Sequence, residues 1–217
     1  MAHFTTQGDN HLDSGIISGL FSGTTPHSQL LWMTIPSYSG VVSPIGSYNS
    51  GNTAFQFGPR NNTLTVWQWG GGTTVLASPQ PPTNQWFHCA YVWDGSTNYL
   101  YVDGSLNNTS NNTPQSGTLN QIWTNGYTTG GASETGTDFG ITDYRIYNRA
   151  LSSLEIETIY TLRGGDDIIN GLSGRWKFFE GSPGTAISQA RDISGNEYNL
   201  TPSGTNNYGV NPLSFRR

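Results

Sequence analysis

The chain has 217 residues with a formal net charge of −5; 11% are charged, 12% are aromatic, and there is one cysteine. So few charges exclude a bundle of long helices or a disordered chain, and the absence of a Lys/Arg cluster excludes a nucleic-acid surface, because phosphate neutralisation needs clustered cations. A lone Cys89 excludes an internal disulfide, no apolar stretch approaches the ~20 residues of a membrane helix, and the abundance of aromatic and turn residues indicates an all-β sandwich or barrel.

The first residues, Met1 to Asn10, show no basic region followed by an apolar run, so they are not read as a Sec-type signal peptide. Residues 1–28, polar and glycine-rich around Ile16-Ile17-Ser18-Gly19-Leu20-Phe21, are read as an extended arm. Strands follow over Leu30 to Ile35, Val41 to Ser47 and Thr53 to Phe57, the first ended by Pro36. Asn61-Asn62 turns the chain into Thr63 to Trp69. Gly70-Gly71-Gly72 ends that strand before Thr73 to Ala77, and Ser78 to Pro82 is a stiff connector.

The stretch from Trp86 to Trp93 is almost wholly aromatic, β-branched or small, the composition of a strand buried on both faces. A loop from Asp94 leads into Tyr99 to Val102, and Asp103-Gly104 is a turn dipeptide. Residues 107–113 read as a polar loop, and Gln121 to Trp123 as a short strand. A strand over 138–147 is followed by one short helix near 152–163. Ser152 with Glu155 forms its capping box, Leu154, Ile159 and Leu162 share its apolar face, and Gly164-Gly165 ends it.

The hairpin Trp86-x-His88-x-Ala90, an Asp-Gly turn, then Leu100-Tyr101-Val102-Asp103-Gly104 resembles the signature hairpin of laminin-G-like domains, members of the concanavalin A-like lectin/glucanase superfamily. The block from Asp138 to Ile156, with Arg145-Ile146-Tyr147-Asn148-Arg149-Ala150-Leu151-Ser152, resembles the family's closing strand and helix. Here Thr142-Asp143 displaces the acidic residue by one place. The resemblance implies a two-sheet antiparallel jelly-roll sandwich spanning residues 29–217. Gly171-Leu172 to Gly181 and Asp192-Ile193-Ser194-Gly195-Asn196 look like the strand and turn that open the domain in the family, yet here they come last. Residues 170–217 could therefore complete their own sandwich as a circular permutation, pair with a neighbouring subunit, or begin a second domain. The unpaired edge left without them favours the first, because an exposed edge invites association.

Chemistry is sparse. A retaining glycosidase needs two carboxylates ~5–5.5 Å apart. The nearest acidic patterns are Glu155-Ile156-Glu157, within the helix, and Asp166-Asp167, adjacent after a glycine turn, so an enzyme is not expected. Asp192, Ser194 and Asn196 alternate oxygen ligands like the start of a calcium loop, but no glutamate closes it and the same residues make an Asx turn. No cofactor is expected, with calcium left open. His88 reads as a structural group and Cys89 as a small buried hydrophobe. Trp67 and Trp69, at i and i+2 on one strand, point to one face. They are the candidate ligand-binding residues, stacking on sugar rings if that face is open, or filling the space between the sheets if it is not.

Two function classes follow. One is a free-standing carbohydrate-binding lectin module. The other is a non-enzymatic virion component, a bacteriophage decoration, fibre or adhesion protein, on the virion surface or otherwise extracellular, with other subunits of a particle or a homo-oligomer and glycans as partners. The second is preferred because of the displaced C-terminal segment, the N-terminal arm and the absence of a signal peptide or disulfides; a glycoside hydrolase is the remote third.

Overall fold

The computed structural model describes residues 2–4, 11–15, 17, 21–22, 24–38, 44–48, 54–60, 62–68, 72–114, 118–119, 121–124, 139–203 and 207–208. In chain order its strands are β1 (Ala2–Phe4), β2 (His11–Asp13), β3 (Phe21–Ser22), β4 (His27–Thr34), β5 (Ile45–Tyr48), β6 (Ala54–Arg60), β7 (Thr63–Gln68), β8 (Gly72–Leu76), β9 (Phe87–Trp93), β10 (Asn98–Val102) and β11 (Ser105–Ser110). They continue with β12 (Thr118–Leu119), β13 (Gln121–Thr124), β14 (Phe139–Tyr147), β15 (Leu172–Trp176), β16 (Thr201–Ser203) and β17 (Asn207–Tyr208); helix α1 (Ser153–Leu162) lies between β14 and β15. The first sheet runs β11-β10-β9-β4-β14-β1-β17, with β15 also on β14. The second runs β16-β2-β13-β5-β6-β7-β8, and β12 pairs β3 separately. All pairings are antiparallel.

One apolar core fills the space between the sheets. Leu31, Met33, Cys89, Tyr91, Ile141 and Ile146 enter it from the first, and Leu12, Ile45, Phe55, Phe57, Leu64 and Val66 from the second. β9 is buried along its whole length because both its faces are covered. Phe87, Cys89, Tyr91 and Trp93 face the main core, while Ala90 and Val92 join Leu30, Tyr147, Leu151, Ile156 and Ile159 in a second cluster under α1. That is why the sequence there reads as a continuous apolar run rather than an alternation.

The turn at Asp103-Gly104 has positive φ at both residues, 48° and 78°, which is the two-residue geometry that matches strand twist, and it starts a second hairpin. Residues 107–113, read as a polar loop, therefore lie largely within β11. An edge strand needs backbone pairing on one side only, so its side chains can all be polar. The helix carries the expected capping box, Ser152 accepting from Glu155 N and Glu155 accepting from Ser152 N. Its buried face is Ile156 and Ile159, whereas Leu154 and Leu162 are 69% and 52% exposed. Residues 1–28, read as an arm, contribute β1, β2, β3 and the start of β4 to the sheets.

The C-terminal segment pairs with the chain's own strands. β15 lies antiparallel on residues 144–147 of β14 and β1 on residues 139–141, so the two cover one edge of β14 end to end. β16 pairs β2 in the second sheet and β17 pairs β1 in the first. Trp176, Phe178, Ile187, Ala190 and Leu200 all enter the main core, with Trp176 stacked on Tyr144 at 5.4 Å. Tyr127 and Pro212 to Phe215 lie outside the described residues.

Candidate functional site

Alternation along β6 and β7 separates two faces. Phe55, Phe57, Leu64 and Val66 turn into the main core, so Gln56, Arg60, Thr65 and Trp67 lie on the outer face of the second sheet. The register sets Gln56 opposite Trp67, Gly58 opposite Thr65 and Arg60 opposite Thr63. The Arg60 guanidinium lies 3.8 Å from the centre of the Trp67 ring, and its Nη1 donates to Gln56 Oε1 at 3.4 Å. To reach both, the arginine runs back along its own strand past Gly58, where no side chain stands in the way. Thr65 is buried on this face and donates from Oγ1 to Gly58 O at 3.3 Å.

Trp67 is half-buried and is not among the residues of the inter-sheet core. Trp69 lies outside the described residues. The backbone registers also define a row across the sheet, from Thr73 through Trp67, Gln56, Gly46, Trp123 and Asp13 to Thr201. Sequence reasoning named Trp67 as a candidate and did not name Arg60. The signal that could have found it is the Asn61-Asn62 turn: pairing Arg60 with Thr63 sets the arginine diagonally along the hairpin from the indole.

On the opposite side of the molecule, the outer face of the first sheet holds a buried ion cluster. A bulge in β14 between Thr142 and Arg145, with Asp143 at φ 48°, shifts the alternation, so that Tyr144 and Ile146 follow Ile141 into the core and Arg145 turns outward, where it meets Asp143. Arg145 Nη2 donates to Asp143 Oδ2 at 2.7 Å, and Arg145 binds Asp166 through Nη1 and Nη2, both at 2.8 Å. Arg175 on β15 donates from Nε to Asp143 Oδ1 at 2.7 Å and from Nη2 to Gly164 O at 2.7 Å. Burial alone would raise the Asp143 and Asp166 carboxyls, but their arginines hold both below the usual carboxylate range.

Asp143 and Asp166 are thus committed to structure. Glu155 takes a bidentate contact from Arg149 at 2.6 and 3.0 Å and accepts from Ser152, which together hold it at about 2. Asp192 accepts from Arg175 N, Ser194 N, Ser194 Oγ and Tyr198 N, so its oxygens serve an Asx turn. No group of three or more His, Cys, Asp or Glu that could hold a metal ion occurs among the described residues. His88 is buried against Trp32 and Tyr160, at 5.5 and 6.0 Å between ring centres. Cys89 is buried, its Sγ 3.7 Å from Leu31 O.

A family model of laminin-G type matches residues 6–157, more than half of the chain. The chain belongs to the concanavalin A-like lectin/glucanases superfamily. No curated protein matches it in sequence. Among solved structures it resembles a Bacteroides ovatus protein assigned carbohydrate binding, with a TM-score of 0.68 and 15% identity over 100% of this chain and 62% of that one. The native heptameric SAP-like pentraxin of Limulus polyphemus gives 0.62 and 14% over 99% and 97%, and the Trypanosoma rangeli sialidase 0.56 and 17% over 77% and 28%. The chain thus spans less than two thirds of the Bacteroides protein and a minor part of the sialidase. These likenesses show the sandwich fold alone.

Proposed function

We propose that this chain is a non-enzymatic carbohydrate-binding module whose binding surface is the outer face of the second sheet around Trp67. The position of Trp67 carries the reading. Its strand sends Leu64 and Val66 into the core and the indole away from it, beside Gln56. Such an indole can meet the C–H face of a sugar ring on the side that Arg60 does not occupy, and a neighbouring primary amide can both donate to and accept from hydroxyls. The assignment of carbohydrate binding to the Bacteroides protein of the same fold agrees with this, at the level of fold. The non-enzymatic part is supported by the acids, since Asp143, Asp166 and Glu155 are each held by arginine.

The test is a glycan panel followed by titration calorimetry on the intact chain and on Trp67→Ala. Losing the indole should weaken binding of the best ligand at least about tenfold, the loss of roughly 1.4 kcal/mol expected for an aromatic contact and its buried area. Undiminished affinity in Trp67→Ala would move the site elsewhere. For the setting of the module we propose a virion or other extracellular surface, in company with like subunits. Residues 1–28 and the C-terminal segment pair within the chain's own sheets and so lend this no support; light scattering across a tenfold concentration range tests it: a stable multimer is expected, and a concentration-independent monomer would count against self-assembly.

A further inference from the structure

We infer that the site around Trp67 recognises a carboxylate-bearing sugar, with Arg60 as the residue that reads the carboxylate; the inference rests on the carbohydrate-binding reading above. The other arginines that pack against structure hold acids: Arg145 is paired with Asp143 and Asp166, Arg149 with Glu155, and Arg175 with Asp143. Arg60 has no carboxylate partner among the described residues. It is held by the Trp67 ring at 3.8 Å and by one long contact to Gln56.

That arrangement has a physical consequence. A guanidinium stacked on an indole is fixed in orientation by its face, while its N–H groups lie in the plane of the fork and point away from the ring. With five N–H donors and a single 3.4 Å contact, most of that donor capacity is uncommitted within the described protein. Gly58, side-chain-free, leaves the lane along which the arginine lies, and the Trp67 ring and Gln56 hold it there in the protein alone. A fork of this kind matches the two oxygens of a carboxylate, and a protein of net charge −5 that sets a cation with no carboxylate partner among the described residues on a half-buried face opposes its own general repulsion of anions at that point. A neutral sugar would use the indole but leave the guanidinium's charge unanswered.

The experiment uses matched pairs on the full chain: polygalacturonate against its methyl ester, alginate oligosaccharides against their carboxyl-reduced forms, and sialyllactose against lactose. The acidic member of at least one pair should bind at least about tenfold more tightly than its neutral partner, as a charge-assisted bidentate contact implies. Arg60→Gln should bring the acidic ligand down to the affinity of the neutral one. Arg60→Lys, which keeps the charge and loses the fork, should recover only part of the difference, and circular dichroism melts should show both variants folded. The matched pairs also separate a uronate from a sialate ligand. Equal binding of acidic and neutral partners, or an acid preference that survives Arg60→Gln, would overturn the inference and leave carbohydrate binding standing. Binding of no member of any pair, with neutral glycans on the wider panel also silent, would overturn both.

Discussion

Asp143→Asn removes one negative charge from a cluster that now balances, two arginines against two aspartates, and does so where the side chains are almost wholly excluded from water. Asp143 receives four contacts, from Arg145 Nη2 and Nε at 2.7 and 3.2 Å and from Arg175 Nε and Nη2 at 2.7 and 3.3 Å. After the change Arg145 keeps Asp166, but Arg175 loses its carboxylate and retains the carbonyl of Gly164. Breaking one member out of a buried ion cluster costs about 3–5 kcal/mol, because an uncompensated charge stays behind. For a domain of this length that corresponds to a fall in melting temperature of roughly 6–20 °C. Urea unfolding followed by tryptophan fluorescence reads it directly, Trp176 lying stacked on Tyr144 beside the cluster. The double variant Asp143→Asn/Arg175→Met removes the stranded cation and should be more stable than Asp143→Asn alone. A loss under about 1 kcal/mol in the single variant, or simple additivity in the double, would refute the argument that charge balance holds β15 to β14.

Two further outcomes are expected. Burial pushes the His27 imidazole from 6.5 down to about 4 and that of His88 down to about 3, with Arg145 adding to the latter, so both stay neutral in the fold and gain a proton on unfolding in acid. Their contribution is complete above 6.5 and is lost as pH falls from there towards those values, at up to roughly 1.4 kcal/mol per pH unit for each ring. Urea midpoints should therefore drop between about pH 7.5 and about pH 5, and less steeply in His88→Phe; identical midpoints would contradict this. A chain ending at Asp166 loses β15, β16, β17 and the core side chains Trp176, Phe178 and Leu200, and should unfold without a cooperative transition; calorimetry showing an unchanged melt would mean the tail is dispensable.

Elements written into local chemistry were legible. The β9–β10 hairpin, the capping box at Ser152 and the turn at Asp103-Gly104 each depend on a few neighbouring residues whose preferences agree with the fold. What failed depended on distant partners. β11 carries Asn, Thr and Ser because an outermost strand borrows its order from β10, and composition cannot report that. Leu154 and Leu162 look like a helix face, but the sheet beneath α1 decides which side is buried, and it takes Ile156 and Ile159. The displaced acid at Thr142-Asp143 was visible as an anomaly. Its meaning, a bulge that shifts the alternation and turns Arg145 outward, emerges only with the register of β4 against β14. At the candidate site Trp67 could be read from alternation, whereas Arg60 acts along the hairpin diagonal, through a gap that exists because residue 58 is glycine.

The two outer faces of the sandwich therefore divide the work. On the first sheet α1 seals an apolar cluster, and the bulge, Asp166 and Arg175 consume the charges next to it, so that face has few polar groups left to offer a ligand. On the second sheet a similar stock of chemistry, one guanidinium and one indole, is arranged the other way: the cation is ordered by an aromatic ring instead of a carboxylate. An arginine needed only to cover Trp67 would lose little by gaining an acid neighbour, since salt bridges at a half-exposed surface are worth under about 1 kcal/mol in either direction. An arginine that must meet an incoming carboxylate loses its function if the protein supplies one first. Placing an acid opposite it, as in Thr63→Asp, therefore tests the distinction in a way deletion does not: the fold should be kept or slightly stabilised while binding of the acidic glycan falls to the level of Arg60→Gln.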